Sequence, residues 1–168
     1  LCTDKTGTLT LDKIVLQKYI NVEGEEDLSI LEYAYINSYY STGMKNLVDR
    51  AIITFGNEHD IKSKIEDYEK IDEIPFDYTR KKMSVVVKHN EHYRMITKGA
   101  LEEVLKDCNN VKINGEHKPL SSELIENINK NAMELEKQGM QVIALASRLG
   151  NEAITDEKNM AFIGFVAF

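Results

Sequence analysis

Apolar residues recur at helical spacing through the first third of the chain. Leu28, Leu31, Ala34, Tyr35 and Ser38 share one face, which predicts a helix starting at Asp27 or Ser29 and running to about Tyr40. Gly43 breaks that pattern. A second helix is predicted over 46–55, turning Leu47, Ala51, Ile52 and Phe55 inward, and a short one over 61–68. Residues 14–19 ahead of them read as a strand. Beyond residue 69 the pattern becomes short, β-branched runs at 70–74, 83–88 and 93–97. The turn-like His89-Asn90-Glu91-His92 between the last two predicts an antiparallel hairpin. Residues 99–108 return to helical spacing through Leu101, Val104 and Leu105, and 111–113 followed by Asn114-Gly115 signals a further hairpin. A long helix capped by Ser121 or Ser122 runs to about Gln138 and stops at Gly139; 141–147 and 162–168 are the last strands. Helices come in runs and so do strands. The expected fold class is therefore α+β, an antiparallel twisted sheet flanked by helices.

Composition narrows the function classes. A chain of 168 residues with 42% hydrophobic content can bury one good core. Its net charge of −7 argues against a nucleic-acid surface, which needs clustered Lys and Arg. Cys2 and Cys108 have neither CxxC spacing nor a histidine at ligand spacing, so neither a disulfide framework nor a zinc site is expected. No apolar run reaches the roughly 18–20 residues that span a bilayer. The chain reads as soluble, and its ends, inside a motif and after an apolar strand, suggest an excerpt of something longer.

The chemistry concentrates at Asp4-Lys5-Thr6-Gly7-Thr8-Leu9-Thr10. A carboxylate is a competent nucleophile for a phosphoryl group, because it divides one hard transfer into two easier ones. The glycine admits a phosphate close to the backbone, and the hydroxyls and amides hold its equatorial oxygens. The heptad is the phosphorylation motif of P-type ATPases, and the chain resembles that family. Haloacid-dehalogenase phosphatases carry Asp-x-Asp instead, with the second acid activating water. Thr6 cannot do that near neutral pH, so a phosphatase fragment is the weaker reading. A stand-alone nucleotide-sensing module is the other alternative.

A second cluster suits a nucleotide. In Ile74-Pro75-Phe76-Asp77-Tyr78-Thr79-Arg80-Lys81-Lys82-Met83, an aromatic and a basic triplet lead into an apolar strand. Phe76 could stack on a base, Met83 could line the pocket, and Arg80 and Lys81 could draw phosphates. In Thr97-Lys98-Gly99-Ala100 an ammonium and a bare backbone sit where a strand gives way to a helix. This run resembles the family's Lys-Gly-Ala motif, whose lysine lies deep in the adenosine pocket. Asp49, in Lys45-Asn46-Leu47-Val48-Asp49-Arg50, falls where the family has an acid that bonds the adenine amino group. Gln141 and Tyr78 occupy positions at which many members carry arginine. A neutral amide makes weaker contacts with phosphate than a guanidinium does, so low ATP affinity is implied.

The resemblance covers essentially the whole chain. Cys2-Thr3, Leu11-Asp12-Lys13-Ile14-Val15-Leu16, Lys70-Ile71-Asp72-Glu73-Ile74-Pro75-Phe76-Asp77 and Gly164-Phe165-Val166-Ala167-Phe168 are similar to bacterial magnesium-transporting members. It implies that residues 1–10 belong to a phosphorylation domain and 11–168 to a nucleotide-binding domain, with hinge strands at both ends. It further implies a cytosolic domain of a cell-membrane pump with ATP as substrate. Asp4 would accept the phosphoryl group, aided by Lys5, Thr6 and Thr8; Asp4 and Thr6 would hold Mg²⁺. Asp49, Phe76, Arg80, Lys81, Met83, Lys98, Gly99 and Gln141 would surround the nucleotide. The implied partners are the remaining phosphorylation, actuator and transmembrane domains of the same polypeptide.

Overall fold

The computed structural model describes residues 14–168. The heptad and its four candidates, Asp4, Lys5, Thr6 and Thr8, lie outside them. Eight strands form one sheet: β1 Lys18–Asn21, β2 Glu69–Asp77, β3 Lys82–His89, β4 His92–Gly99, β5 Cys108–Ile113, β6 Glu116–Pro119, β7 Val142–Gly150 and β8 Met160–Ala167. Helices α1 Leu28–Tyr40, α2 Leu47–Glu58 and α3 Ile61–Lys64 precede β2; α4 Leu101–Lys106 and α5 Ser122–Lys137 follow β4 and β6.

Strands run β2-β3-β4-β7-β8-β5-β6, and β1 also pairs with β8. Every neighbouring pair is antiparallel except β5 with β8. The sheet is therefore mixed, where the sequence suggested an antiparallel one. The cause is the connection: α5 and β7 intervene between the β5–β6 hairpin and β8, long enough to bring β8 back alongside β5 in the same direction.

Side-chain alternation splits the core in two. Val85, Val87, Ile96, Leu145, Ile163 and Val166 pack with α1, α2 and α3, while Val86, Met95, Ala144, Ala146, Phe162 and Phe165 pack with α4 and α5. Buried on both faces, β8 has no polar position at all, and its sequence Met-Ala-Phe-Ile-Gly-Phe-Val-Ala reads accordingly. Phe162 and Phe165 share a face although three residues apart, because the β7–β8 register shifts between Leu145 and Ala146. The extra residue of that bulge restarts the alternation. Gly164 sits there because a Cβ would lie 2.2 Å from the Ile20 carbonyl of β1.

Helix α1 is buried well beyond the face read from its spacing. Ile30, Ile36 and Asn37 are also below 3% exposed, since α2 covers the side that the sheet does not. Caps fix the starts of three helices: Asp27 accepts from the Ser29 amide at 2.9 Å, Asn46 from Asp49 at 2.8 Å and Ser121 from Leu124 at 3.2 Å. Two boundaries differ from expectation. The first strand begins at Lys18 and not at residue 14, because only from there does β8 offer a partner edge. The helix from Ile61 ends at Lys64, where Ile65 turns down into the core and its amide bonds back to Lys62.

Candidate nucleotide-binding site

Register, and not proximity in sequence, assembles the site. Met83 of β3 pairs directly with Lys98 of β4, so both side chains leave the sheet on the α1–α2 face. There the Lys98 ammonium meets two helices. It lies 2.6 Å from Asp49 Oδ1, 3.2 Å from Ser38 Oγ and 3.7 Å from Met83 Sδ. The Ser38 hydroxyl donates to the same Asp49 oxygen at 2.8 Å. Asp49 is the third residue of α2, so the helix dipole favours its negative charge. Lys98 and Asp49 are 5% and 4% exposed, which makes this a buried ion pair.

Burial pushes the Lys98 pKa down, Asp49 opposes that, and Lys45 adds like-charge repulsion; the net direction is downward. Lys45 is fixed nearby because its ammonium satisfies the carbonyls ending α1, Ser38 at 2.7 Å and Ser41. Asn37 spans the strands underneath, its amide donating to the Ile96 carbonyl at 2.8 Å while its own Oδ1 has no protein partner.

Phe76 stands beside this pair on an open ribbon. Asp77 pairs with Lys82 after the register shifts between Ile74 and Asp77, so Phe76 sits in the irregular step of the ribbon at the Met83–Lys98 end of the sheet. Its ring is 49% exposed and meets Tyr78 edge-on with centroids 5.2 Å apart. Lys81 follows in the turn with φ of 56° and its side chain in solvent. Met83, the buried cation and acid, the exposed ring and the solvent-facing Lys81 ammonium thus share one end of the sheet.

Three expected residues are placed differently from the sequence picture. Arg80 does not point free: its guanidinium is bound to Glu157 at 2.9 and 3.2 Å. Gly99 faces the opposite side from Lys98, where a Cβ would come within 2.5 Å of the Lys81 carbonyl and of Lys82 Cβ. It makes room for the neighbouring strand. Gln141 has an exposed side chain and a backbone locked to Phe168 in both directions, at 2.9 and 3.0 Å. Sequence reasoning missed Ser38, and it missed Lys82, whose ammonium is 2.6 Å from Asp107 on the other face. Lys82 stands in the basic triplet without having been singled out, and Ser38 stands in no motif. Ser38 could be found only from its place one turn before the end of a helix buried on most of its circumference.

A mixed sheet between two helical layers thus carries a buried lysine and acid at one end, next to an exposed aromatic ribbon. The chain belongs to the P-type ATPase family: residues 27–168 match the family model for the P-type ATPase cytoplasmic domain N. It is 42% identical over 174 residues to the magnesium-transporting ATPase, P-type 1, of Escherichia coli (strain K12), covering 100% of this chain and 19% of that protein. The protein of the same name from Salmonella typhimurium (strain LT2) is 39% identical, with the same coverage of each chain. Calcium-transporting ATPase 1 of Bacillus cereus is 29% identical over 189 residues, covering 99% of this chain and 21% of that protein. The chain thus spans about a fifth of the length of these curated relatives. Among the described residues no helix is long and apolar enough to cross a membrane, and none form a cluster of His, Cys, Asp or Glu that could hold a metal.

Proposed function

We propose that this chain is the ATP-binding cytosolic domain of a Mg²⁺-transporting P-type ATPase, with the phosphoryl acceptor Asp4 at its edge. The observation that carries the reading is the buried Lys98–Asp49 pair at the end of the sheet that also carries the exposed Phe76 ring. An adenine stacked on Phe76 would present its edge to that pair, where a carboxylate oxygen can accept from an exocyclic amine. Met83 supplies the apolar floor, and Lys81, which has no ion-pair partner among the described residues, lies next to where phosphates would emerge. The reading divides the chain into residues 1–10, from the phosphorylation domain, and 11–168, the nucleotide domain with a strand joining it at each end. The pairing of β1 with β8 is consistent with that division.

In the whole pump the Asp4 carboxylate would attack the γ-phosphate in line to give an aspartyl phosphate, which would drive transport. Lys5 and Thr8 would steady the transferring group. The Asp4 carboxylate and the Thr6 carbonyl are hard oxygen donors of the kind Mg²⁺ takes, and Mg²⁺ would supply charge neutralisation at the transferred phosphate. The remaining acids and cations would come from the phosphorylation, actuator and membrane domains. The relatives' names favour magnesium as cargo and favour a pump over a stand-alone sensor.

Titrating ATP and adenosine into this chain while following backbone amide shifts tests the reading. Shifts at Phe76, Lys98 and Gly99 are expected, saturating near a dissociation constant of about 1 mM, or about −4 kcal/mol. No perturbation of those amides at several-fold that concentration would refute nucleotide binding at this site.

A further inference from the structure

Arg80 is the one cation of the Phe76–Met83 ribbon expected to draw phosphate that the structure finds fully engaged. Its guanidinium makes four hydrogen bonds. Nη1 donates to the Pro75 carbonyl at 3.0 Å, Nη2 to the Lys82 carbonyl at 3.1 Å, and Nη2 and Nε to the Glu157 carboxylate at 2.9 and 3.2 Å. Pro75 immediately precedes Phe76, and Lys82 immediately follows Lys81. One rigid, planar group therefore ties together the two carbonyls that bracket the ribbon's ring and its solvent-facing ammonium.

Few backbone bonds hold the Phe76 end of that ribbon. The β2–β3 register shifts between Ile74 and Asp77, so ladder bonds skip Pro75 and Phe76, and proline has no N–H to offer. Tyr78 is 88% exposed. Within the turn, Lys81 donates to the Asp77 carbonyl at 2.6 Å, and the Thr79 amide donates to the Asp77 carboxylate at 2.7 Å. These bonds shape the turn, and one backbone bond, from the Ala100 amide to the Lys81 carbonyl at 3.0 Å, ties its end to the domain.

Glu157 provides the side-chain attachment. It sits 77 residues further along, in the β7–β8 loop, with its side chain only 10% exposed. Its carboxylate also accepts from the Ser84 hydroxyl, which lies 2.6 Å from the Thr97 hydroxyl in the middle of the sheet. The loop itself is pinned by buried Ile154 and by Arg148, which donates to Asp156 and to the Lys158 carbonyl at 3.1 and 3.0 Å. The charge opposing Arg80 thus belongs to the body of the domain.

We propose that Arg80 and Glu157 form a latch that sets the spacing of Phe76 and Lys81 for nucleotide binding, with neither latch residue touching the nucleotide. The proposal rests on the nucleotide reading above, and it changes the role of Arg80 from a phosphate ligand to a positioning residue. A phosphate contact acts only on ATP. A latch acts on every ligand that needs Phe76, adenosine included.

The test compares Arg80→Lys, Glu157→Ala and the double variant, titrated with ATP and with adenosine by amide shifts. The backbone {¹H}–¹⁵N NOE of residues 76–81 is measured without ligand. Glu157→Gln keeps an oxygen for Ser84 and serves where Glu157→Ala perturbs amides away from the ribbon. Each single variant should weaken ATP and adenosine alike by roughly five- to tenfold, and the double should be no worse than the weaker single, as expected of residues acting as one unit. The NOE of residues 76–81 should fall in all variants. Loss of ATP binding with adenosine unchanged would overturn the latch in favour of direct phosphate contact. Additive losses, or an unchanged NOE, would overturn it too. Should the unaltered chain bind neither ligand, the nucleotide reading fails by itself, and the NOE comparison still decides whether the ribbon is latched.

Discussion

Replacing Asp49 with alanine should destabilise this domain severely at neutral pH and much less at alkaline pH. The substitution leaves the Lys98 ammonium 5% exposed with Ser38 as its remaining oxygen partner. Breaking one side of a buried pair typically costs about 3–5 kcal/mol. The ceiling is set by the alternative of folding with a neutral lysine. From an ordinary pKa of about 10.4, shedding that proton costs about 4.6 kcal/mol at about pH 7 and about 1.9 kcal/mol at about pH 9. The sign follows from linkage. The Lys98 pKa is lowered in the folded domain by burial, so between its folded and unfolded values the unfolded chain binds more protons, and stability rises with pH. Asp49 opposes that lowering; without it the window widens. Urea unfolding is the assay, read by far-UV circular dichroism because the chain has no tryptophan. The deficit of Asp49→Ala relative to the parent should be about 3–5 kcal/mol near neutrality and should shrink by about 2 kcal/mol two pH units higher. A deficit under about 1 kcal/mol, or one that does not change with pH, would show that Lys98 is not the buried charge described here.

Two further outcomes follow from the same packing. Gly99→Ala should lower stability by about 1–3 kcal/mol in urea, because its new Cβ meets the Lys81 carbonyl and Lys82 backbone and cannot relax without moving β3; a loss below about 0.5 kcal/mol would contradict that close approach. In a Cys2→Ser background, Cys108 should resist alkylation until the domain unfolds. Burial and then Asp107 raise its pKa to about 12, which cuts the thiolate present at mildly alkaline pH about a thousandfold; native and urea-unfolded labelling at equal rates would refute this.

How much of this was legible beforehand depended on whether the signal was local. The first two helices were readable because their caps, Asp27 and Asn46, and their apolar spacing lie within a dozen residues. The β3–β4 pair was readable from its turn. The parallel contact of β5 with β8 was not, since it joins Cys108 to Met160 across a helix and two strands. The site divides the same way. Lys98, Asp49 and Phe76 stand in motifs and could be named. Their arrangement could not: Gly99 was expected to bare the backbone for a ligand, and the structure shows it clearing space for Lys82. Glu157 stands in a loop without pattern or motif, and nothing in the sequence ties it to Arg80.

The pairing of β1 with β8 also fixes how the domain takes tension. The two strands are antiparallel, with Lys18 opposite Ala167 and Asn21 opposite Gly164. Force applied through residues 16 and 168 therefore enters both strands at the same end. In that geometry the ladder is loaded one bond at a time, whereas strands pulled from opposite ends share the load among all bonds at once. Phe168 is anchored on its other side by the paired bonds to Gln141, so β1 peels while β7 and β8 stay together. Under a pull, the Gln17 amide leaves the Ala167 carbonyl first, and the rest of β1 unzips towards Gly164.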